Sequence, residues 1–322
     1  VDEWLWKKGA RSFDEMTDLS MALRIRLSES FDLHPATIVD RQQSTDNTTK
    51  YVFKFFDGDR AEGVLIPSAH RSTACISVQA GCQLSCRFCA TGRMKFRRNL
   101  SAGEIFDQVL LIRDQSEKLF KRTLSNIVIM GMGEPLLNYG PVSGAISRII
   151  SPEGMEMSPQ RITLSTVGIP PMIRKLADEN VRFNLAVSLH SANNHKRSAL
   201  MPVNKKHDLS SLAASLKYFN EKTGMRISFE YLMLKNINDD IRDASELALF
   251  CRNFPCKINI IEYNPAGDKE FQASAPEKVR AFVEFLEAKN MIVNIRKSRG
   301  KDIDAACGQL AIHEKGINLS NH

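Results

Sequence analysis

No stretch of this sequence approaches the run of about 20 apolar residues that a membrane-spanning helix requires, and no charged-then-apolar leader opens it. Membrane insertion and secretion are not expected, which makes the cytoplasm the default expectation. Internal repeats and low-complexity linkers are also missing, so 322 residues read as one large α/β domain with a small addition. The chain opens at Val1 already in a helical pattern, and further residues are expected to precede it. An even cysteine count is lacking as well. There are seven cysteines, and 43% hydrophobic residues provide enough core to make disulfide staples unnecessary. A reducing compartment fits that count. Cys251 and Cys256, beside a predicted strand, then read as ordinary small buried residues.

Between Arg87 and Asn99 there is no acid at all, but there are five cations: Arg87, Arg93, Lys95, Arg97 and Arg98. Arg296, Lys297, Arg299 and Lys301 form a second basic group. The overall excess is modest, with 44 Lys and Arg against 37 Asp and Glu, but its clustering suits a polyanion.

Residues 1 to about 32 read as short helices, with a capping box expected at Ser12 to Glu15 before Met16, Leu19, Ala22 and Leu23. The period then changes to two, and "YVFKFF" (51–56) and "EGVLIP" (62–67) flank the turn former "DGD", which predicts a β-hairpin or meander. From Thr73 onward β-branched runs alternate with amphipathic helices, the pattern of a parallel sheet with helical crossovers. Six βα units are expected, with strands near 74–78, 126–130, 162–166, 183–189, 227–234 and 257–261 and an extended run at 291–297. Helices should begin near Ser101, Pro141, Pro170, Leu209, Arg242 and Pro276. Six units fall short of the eight in a closed barrel, so the expected fold is an open, partial (βα)6 barrel that gathers ligands at its strand C-termini. Its parts would be residues 1–68 (helical accessory unit plus β extension), 69–297 (barrel) and 298–322 (C-terminal segment).

The most distinctive of the post-strand loops is "GCQLSCRFCATG" (81–92), with Cys82, Cys86 and Cys89 spaced C-x3-C-x2-C. No histidine accompanies them after the strand, which argues against structural zinc; the closest, His70, precedes it. A disulfide would leave one thiol over. Three thiolates at this spacing instead suit three irons of a 4Fe-4S cluster, leaving a fourth iron open to a chelating substrate.

With Phe88 between its last two cysteines, this loop resembles the signature of the radical S-adenosylmethionine (SAM) superfamily, and "GMGEP" (131–135) resembles the superfamily segment that contacts the methionine amino group of SAM. Taken with "TLSTVG", "SLHS", "INIIEYNP" and "RGKDIDAACGQL", the chain is similar to the RlmN/Cfr family of RNA adenine methyltransferases. That resemblance implies cofactor contacts at Gly133, Glu134, Ser165, Ser188, Leu189, His190 and Asn264, and cluster ligation by Cys82, Cys86 and Cys89. It also implies that Cys307 accepts a methyl group from SAM, that a 5′-deoxyadenosyl radical activates the methyl, and that the resulting carbon radical adds to adenine. Cys75 would then release the product by forming a disulfide with Cys307, with Glu62 as proton acceptor. Without the resemblance, Cys75 and Cys307 read as buried structural residues and Glu62 as a solvated strand residue.

Implied partners are 23S ribosomal RNA, transfer RNA and an electron donor such as flavodoxin or ferredoxin, and the implied oligomeric state is monomeric. The target adenine would have to be unpaired or flipped out. "GMGEPLLN", with Pro135, and "RKSRGKD" look more like the RlmN type, which methylates carbon 2, than the Cfr type, which methylates carbon 8 and confers antibiotic resistance. A radical SAM enzyme acting on a protein or small metabolite is a further reading; it would need the cluster loop but not both Cys75 and Cys307. A noncatalytic RNA-binding protein holding a cluster would need no SAM segments.

Overall fold

The period-two stretch forms an antiparallel meander of β1 (Thr37–Gln43), β2 (Thr49–Lys54) and β3 (Arg60–Pro67), with the β2–β3 turn closed by Phe55 N–H donating to the Asp59 carbonyl at 2.9 Å. In this computed structural model, which describes residues 1–265 and 270–312, the meander is not a separate layer. β3 pairs antiparallel with β4 (Ser72–Cys75), so the expected boundary between residues 68 and 69 falls inside one continuous sheet. The C-terminal part of the expected 298–322 segment, residues 313–322, lies outside the described residues.

Upstream of the meander, the expected capping box is corrected. Ser12 Oγ reaches Glu15 Oε1 at 3.3 Å, but only a 3-10 turn follows, at Phe13–Glu15. Helix α1 (Met21–Ser30) starts later, and Ser20 Oγ accepts the Leu23 N–H at 3.3 Å as its cap.

After β4, a two-stranded ribbon of β5 (Gln79–Ala80) and β6 (Arg98–Asn99) pinches the cysteine loop, which contains the short α2 (Ala90–Arg93). Helix α3 (Ala102–Phe120) opens with a full capping box, Ser101 and Glu104 satisfying each other's backbone N–H. The chain then alternates: β7 (Asn126–Ile129), α4 (Tyr139–Ile150), β8 (Ile162–Thr166), α5 (Pro170–Asp178), β9 (Asn184–Ser188), α6 (Asn194–Leu200), α7 (Leu209–Thr223), β10 (Ile227–Met233), α8 (Ile241–Cys251), β11 (Cys256–Glu262), α9 (Pro276–Glu287) and β12 (Val293–Arg296). β4 and β7 through β12 are all parallel, in the order of the chain.

With β1 and β12 as the two edges of the ten-stranded sheet, the barrel is open: six βα units and a closing strand. Strands buried on both faces read as continuous apolar runs, and every residue of β10, "ISFEYLM", is buried. Glu230 is the exception in kind within that run, and it marks where the barrel interior turns polar. The extra helix α6, absent from the sequence expectations, is seven residues long and is capped by the Asn193 side chain, which accepts the N–H groups of His195 and Lys196.

Candidate active site

A cavity of about 370 Å³ opens at the C-terminal ends of the parallel strands, where βα architecture places ligands. Of the catalytic, cofactor and cluster residues expected from the sequence, all line it except Glu62 and Leu189, and of the two basic groups Arg296, Lys297 and Arg299 do.

Backbone crowding shapes the cysteine loop. Gly81 has φ +82°, and a β-carbon there would sit 2.3 Å from the Lys95 carbonyl oxygen; one at Gly92 would sit 2.7 Å from the Cys86 carbonyl oxygen. Both positions therefore exclude side chains. The loop is also tied to distant segments. Arg87 N–H donates to the Leu200 carbonyl at the end of α6 (3.1 Å), Ala90 N–H to the Gly308 carbonyl (2.8 Å) and Thr91 Oγ1 to the Leu310 carbonyl (2.6 Å). The last two bonds fasten the segment carrying Cys307 over the three thiols. All seven cysteines are free. Burial pushes the Cys82 thiol up to about 11 and the Cys86 thiol higher still.

The post-strand loops are held by side chains reaching between strand ends. Gly133 (φ +96°) packs against Gln79, whose Oε1 accepts the Glu134 N–H at 2.9 Å. The Glu134 carboxylate accepts from Thr166 Oγ1 (2.6 Å), Val167 N–H (2.9 Å) and Leu136 N–H (3.0 Å). Burial nonetheless raises its pKa to about 7. His190 sits at φ +57°, an unfavourable angle for a residue with a β-carbon, and is fixed there by Asn238 Nδ2 donating to its carbonyl at 2.6 Å. Its Nδ1 accepts the Leu232 N–H at 3.0 Å, so Nε2 carries the ring proton. Burial drives its pKa down to about 3, which keeps the ring neutral, edge-on to Phe88 at 4.7 Å. Leu189 is wholly buried behind the wall, with its N–H donated to the Glu230 carbonyl at 3.0 Å.

Cys75 ends β4 and Cys307 comes from the C-terminal turn, and both line the cavity. Each thiol is pushed up first by burial, Cys75 to about 12 and Cys307 to about 11, and Cys75 further by the charge of Cys307. Cys307 is exposed in that solvent entering the cavity reaches it, yet protein surrounds that cavity. The cation opposing both shifts is Arg296, at the end of β12, whose Nη1 lies 3.2 Å from Glu230 Oε2. Glu230 also accepts from Asn259 Nδ2 at 2.8 Å, and Asn259 Oδ1 accepts from Asn294 at 3.3 Å. Glu230, Asn259 and Asn294 are register partners on β10, β11 and β12, so this polar ladder is written into the strand alignment. Sequence reading missed it, although a lone carboxylate inside "ISFEYLM" was a usable signal.

Glu62 lies behind the C-terminal segment. Its Oε2 accepts the Ala311 N–H at 2.9 Å and its Oε1 is 3.4 Å from Lys50 Nζ, both side chains about 5% exposed or less. The expected solvated strand residue is thus a buried carboxylate; burial, against the pull of Lys50, raises its pKa to about 7.

The basic groups are also more committed than their clustering suggests. Arg98 is shared among Asp57, Asp59 and Glu104, Arg97 pairs with Asp59, and Arg87 with Glu270. Lys297 and Arg299 line the cavity rim, with Arg299 3.7 Å from Asp46.

Comparison with known proteins decides what this constellation belongs to. Residues 76–248 match the Radical SAM superfamily, and residues 1–33 match the ribosomal RNA large subunit methyltransferase N-terminal domain. The chain is 53% identical over 314 residues to a probable dual-specificity RNA methyltransferase RlmN of Cytophaga hutchinsonii, covering 98% of this chain and 86% of that one. It is 51% identical to the corresponding protein of Flavobacterium psychrophilum, over 98% and 90% of the two chains. The chain belongs to the RlmN family of radical SAM methyltransferases. In structure it resembles a crystallised radical SAM methyltransferase from Sphaerobacter thermophilus, with a TM-score of 0.91 and 39% identity over 96% of this chain and 90% of that one.

As an RlmN-family member it is a SAM-dependent RNA methyltransferase using a 4Fe-4S cluster and SAM. The residues present suit both groups. Five free thiols border one cavity, and three of them, those of Cys82, Cys86 and Cys89, come from the one loop and could hold a cluster. Also lining the cavity, the Tyr263 hydroxyl and Asn264 Oδ1 are buried without a hydrogen-bond partner among the described residues, and a bound ligand could supply one. Among the described residues no helix is long and apolar enough to cross a membrane.

Proposed function

We propose that this protein methylates carbon 2 of an adenine in 23S ribosomal RNA, and in transfer RNA, through a methyl group carried on Cys307. The observation that carries the reading is the single cavity lined by Cys75 and Cys307 together with Cys82, Cys86 and Cys89. Cys82, Cys86 and Cys89 would hold the cluster, which when bound would supply the electron for reductive cleavage of SAM. Everything else falls to side chains. Carbon 2 of adenine is electron-poor and cannot attack a methyl cation donor, so the methyl must first be parked on a nucleophile, and the Cys307 thiolate beside Arg296 is that nucleophile.

Gly133, Glu134, Ser165, Ser188, His190 and Asn264 bind and orient SAM: the backbone of the Gly133 turn, the Nε2–H of a permanently neutral His190 and the unpartnered Asn264 Oδ1 offer fixed donors and acceptors. Leu189 contributes by fixing the loop from behind. After a hydrogen atom is removed from the Cys307-bound methyl, its carbon would bond to carbon 2 of adenine, the carbon-2 hydrogen leaving as a proton and one electron returning to the cluster. The Cys75 thiolate then attacks the Cys307 sulfur, breaking its bond to that carbon and forming a disulfide, while the carbon keeps the electron pair and takes up a proton to become the methyl group. Glu62, whose pKa near 7 suits proton transfer at neutral pH, accepts the proton. Lys297 and Arg299 contact phosphate, the electron for the cluster would come from a donor of the flavodoxin or ferredoxin type, and the enzyme works as a monomer in the cytoplasm. The N-terminal unit and the C-terminal segment act as RNA-docking and methyl-carrying parts flanking the barrel.

The RlmN names of the relatives favour carbon 2 over carbon 8. Digestion of ribosomal RNA after reaction should yield 2-methyladenosine; 8-methyladenosine alone would reverse the assignment.

A further inference from the structure

Arg197, on α6, is the largest of the described side chains with none of its surface exposed. Its Nε donates to the Leu189 carbonyl (3.1 Å), Nη1 to Asn204 Oδ1 (2.6 Å), and Nη2 to the carbonyls of Val167 (2.6 Å) and Ser188 (3.3 Å). Every one of these acceptors is neutral. A buried cation satisfied only by neutral oxygens leaves its charge uncompensated, which is unfavourable unless an anion stands nearby. Two buried carboxylates approach from neighbouring elements: Asp243 of α8, already paired with Lys196 at 2.6 Å, and Glu134, which holds the N–H of the same Val167 whose carbonyl Arg197 holds; the cysteine loop is bonded to the helix end through Arg87 N–H and the Leu200 carbonyl. Cys86, buried on that loop, lines the same cavity as Val167 and Ser188, whose carbonyls Arg197 holds, so the guanidinium backs the wall that the cysteine loop faces.

We propose that Arg197 is a positioning residue for the cluster, its fixed charge offsetting that of the thiolate-bound irons and raising their reduction potential while its donors lock the ends of β8 and β9. The inference rests on Cys82, Cys86 and Cys89 being the cluster ligands. Reduction adds negative charge, so a neighbouring cation stabilises the reduced form more than the oxidised one. A purely mechanical staple predicts the opposite sign. Its loss would admit water, which also favours the more highly charged reduced form and moves the potential upward.

The test is a redox titration, followed by electron paramagnetic resonance, of wild-type, Arg197→Lys, Arg197→Met and Asn204→Asp enzymes reconstituted with iron and sulfide. Arg197→Met should lower the midpoint potential and Arg197→Lys should restore most of it. Asn204→Asp places a carboxylate against Nη1 without removing the buried arginine, and should also lower the potential; it serves if Arg197→Met does not fold. A potential at or above the wild-type value in Asn204→Asp overturns the proposal, as does one in a folded Arg197→Met. Wild-type cluster content in Cys86→Ala would instead remove the ligand assignment, and the proposal with it.

Discussion

The Glu62 carboxylate accepts the Ala311 amide at 2.9 Å, so β3 holds down the segment that carries Cys307. One side chain thereby joins the group proposed to accept a proton to the position of the proposed methyl carrier. The opposite side of the segment is fixed by Ala90 and Thr91 of the cysteine loop.

Removing Lys50 should expose the cost of this arrangement. Lys50→Met leaves Glu62 buried without its cation, and losing one partner of a buried pair costs on the order of 3 kcal/mol. Chemical denaturation should show that loss in Lys50→Met and a substantial recovery in Lys50→Met/Glu62→Gln. Equal stability of Lys50→Met and wild type would mean the pair is solvated in solution.

A second expectation concerns pH. Burial raises the Glu62 pKa from 4.5 to about 7, so the group is protonated below that value and cannot accept a proton. Turnover should therefore rise as pH increases through about 7, and Glu62→Gln should lose the ascending limb together with most of the activity. For stability the sign runs the other way. A folded-state pKa above the unfolded value gives a contribution present below about 4.5 and lost as pH rises through about 7. Rate and stability profiles measured on the same samples separate the two effects.

Arg296 faces both reacting thiols. Its loss should slow trapping of Cys307 by a thiol alkylating reagent severalfold, because the Arg296 charge holds the thiol below where burial alone would push it. Peptide mass spectrometry of Arg296→Gln, Arg296→Lys and wild type reads this directly, with Lys expected to recover part of the rate. Identical rates in all three would remove Arg296 from any role in thiolate formation.

Cys75→Ala should leave RNA attached to Cys307, because nothing then attacks the sulfur to release it. A shifted protein band sensitive to ribonuclease is the expected result, and multiple turnovers by this variant would contradict the release step.

Much of this was readable beforehand for a physical reason. Short runs rich in β-branched residues between helical patterns signal parallel strands, so "ITLST" and "INIIE" were legible, and Ser101 and Pro170 marked helix starts through capping and fixed φ. The cysteine loop was legible because metal spacing is local. The roles of Glu230 and Arg296 were not, since what defines each is a partner on another strand, tens of residues distant, and that of Arg197 was not because its partners gather only once α6 folds back onto the ends of β8 and β9. Glu62 was misjudged as solvated for the same reason: the segment that buries it arrives about 250 residues later, at Ala311. Helix α6 escaped notice because seven largely polar residues carry too little periodicity.

The claim that Cys307 carries the methyl group is tested most directly by incubating the cluster-loaded protein with SAM labelled in its methyl group and analysing the Cys307 peptide by mass spectrometry. The labelled methyl should be found on Cys307 and, after RNA is added, on carbon 2 of adenine. Labelled RNA formed while Cys307 never carries the label, or formed equally well by Cys307→Ala, would contradict it.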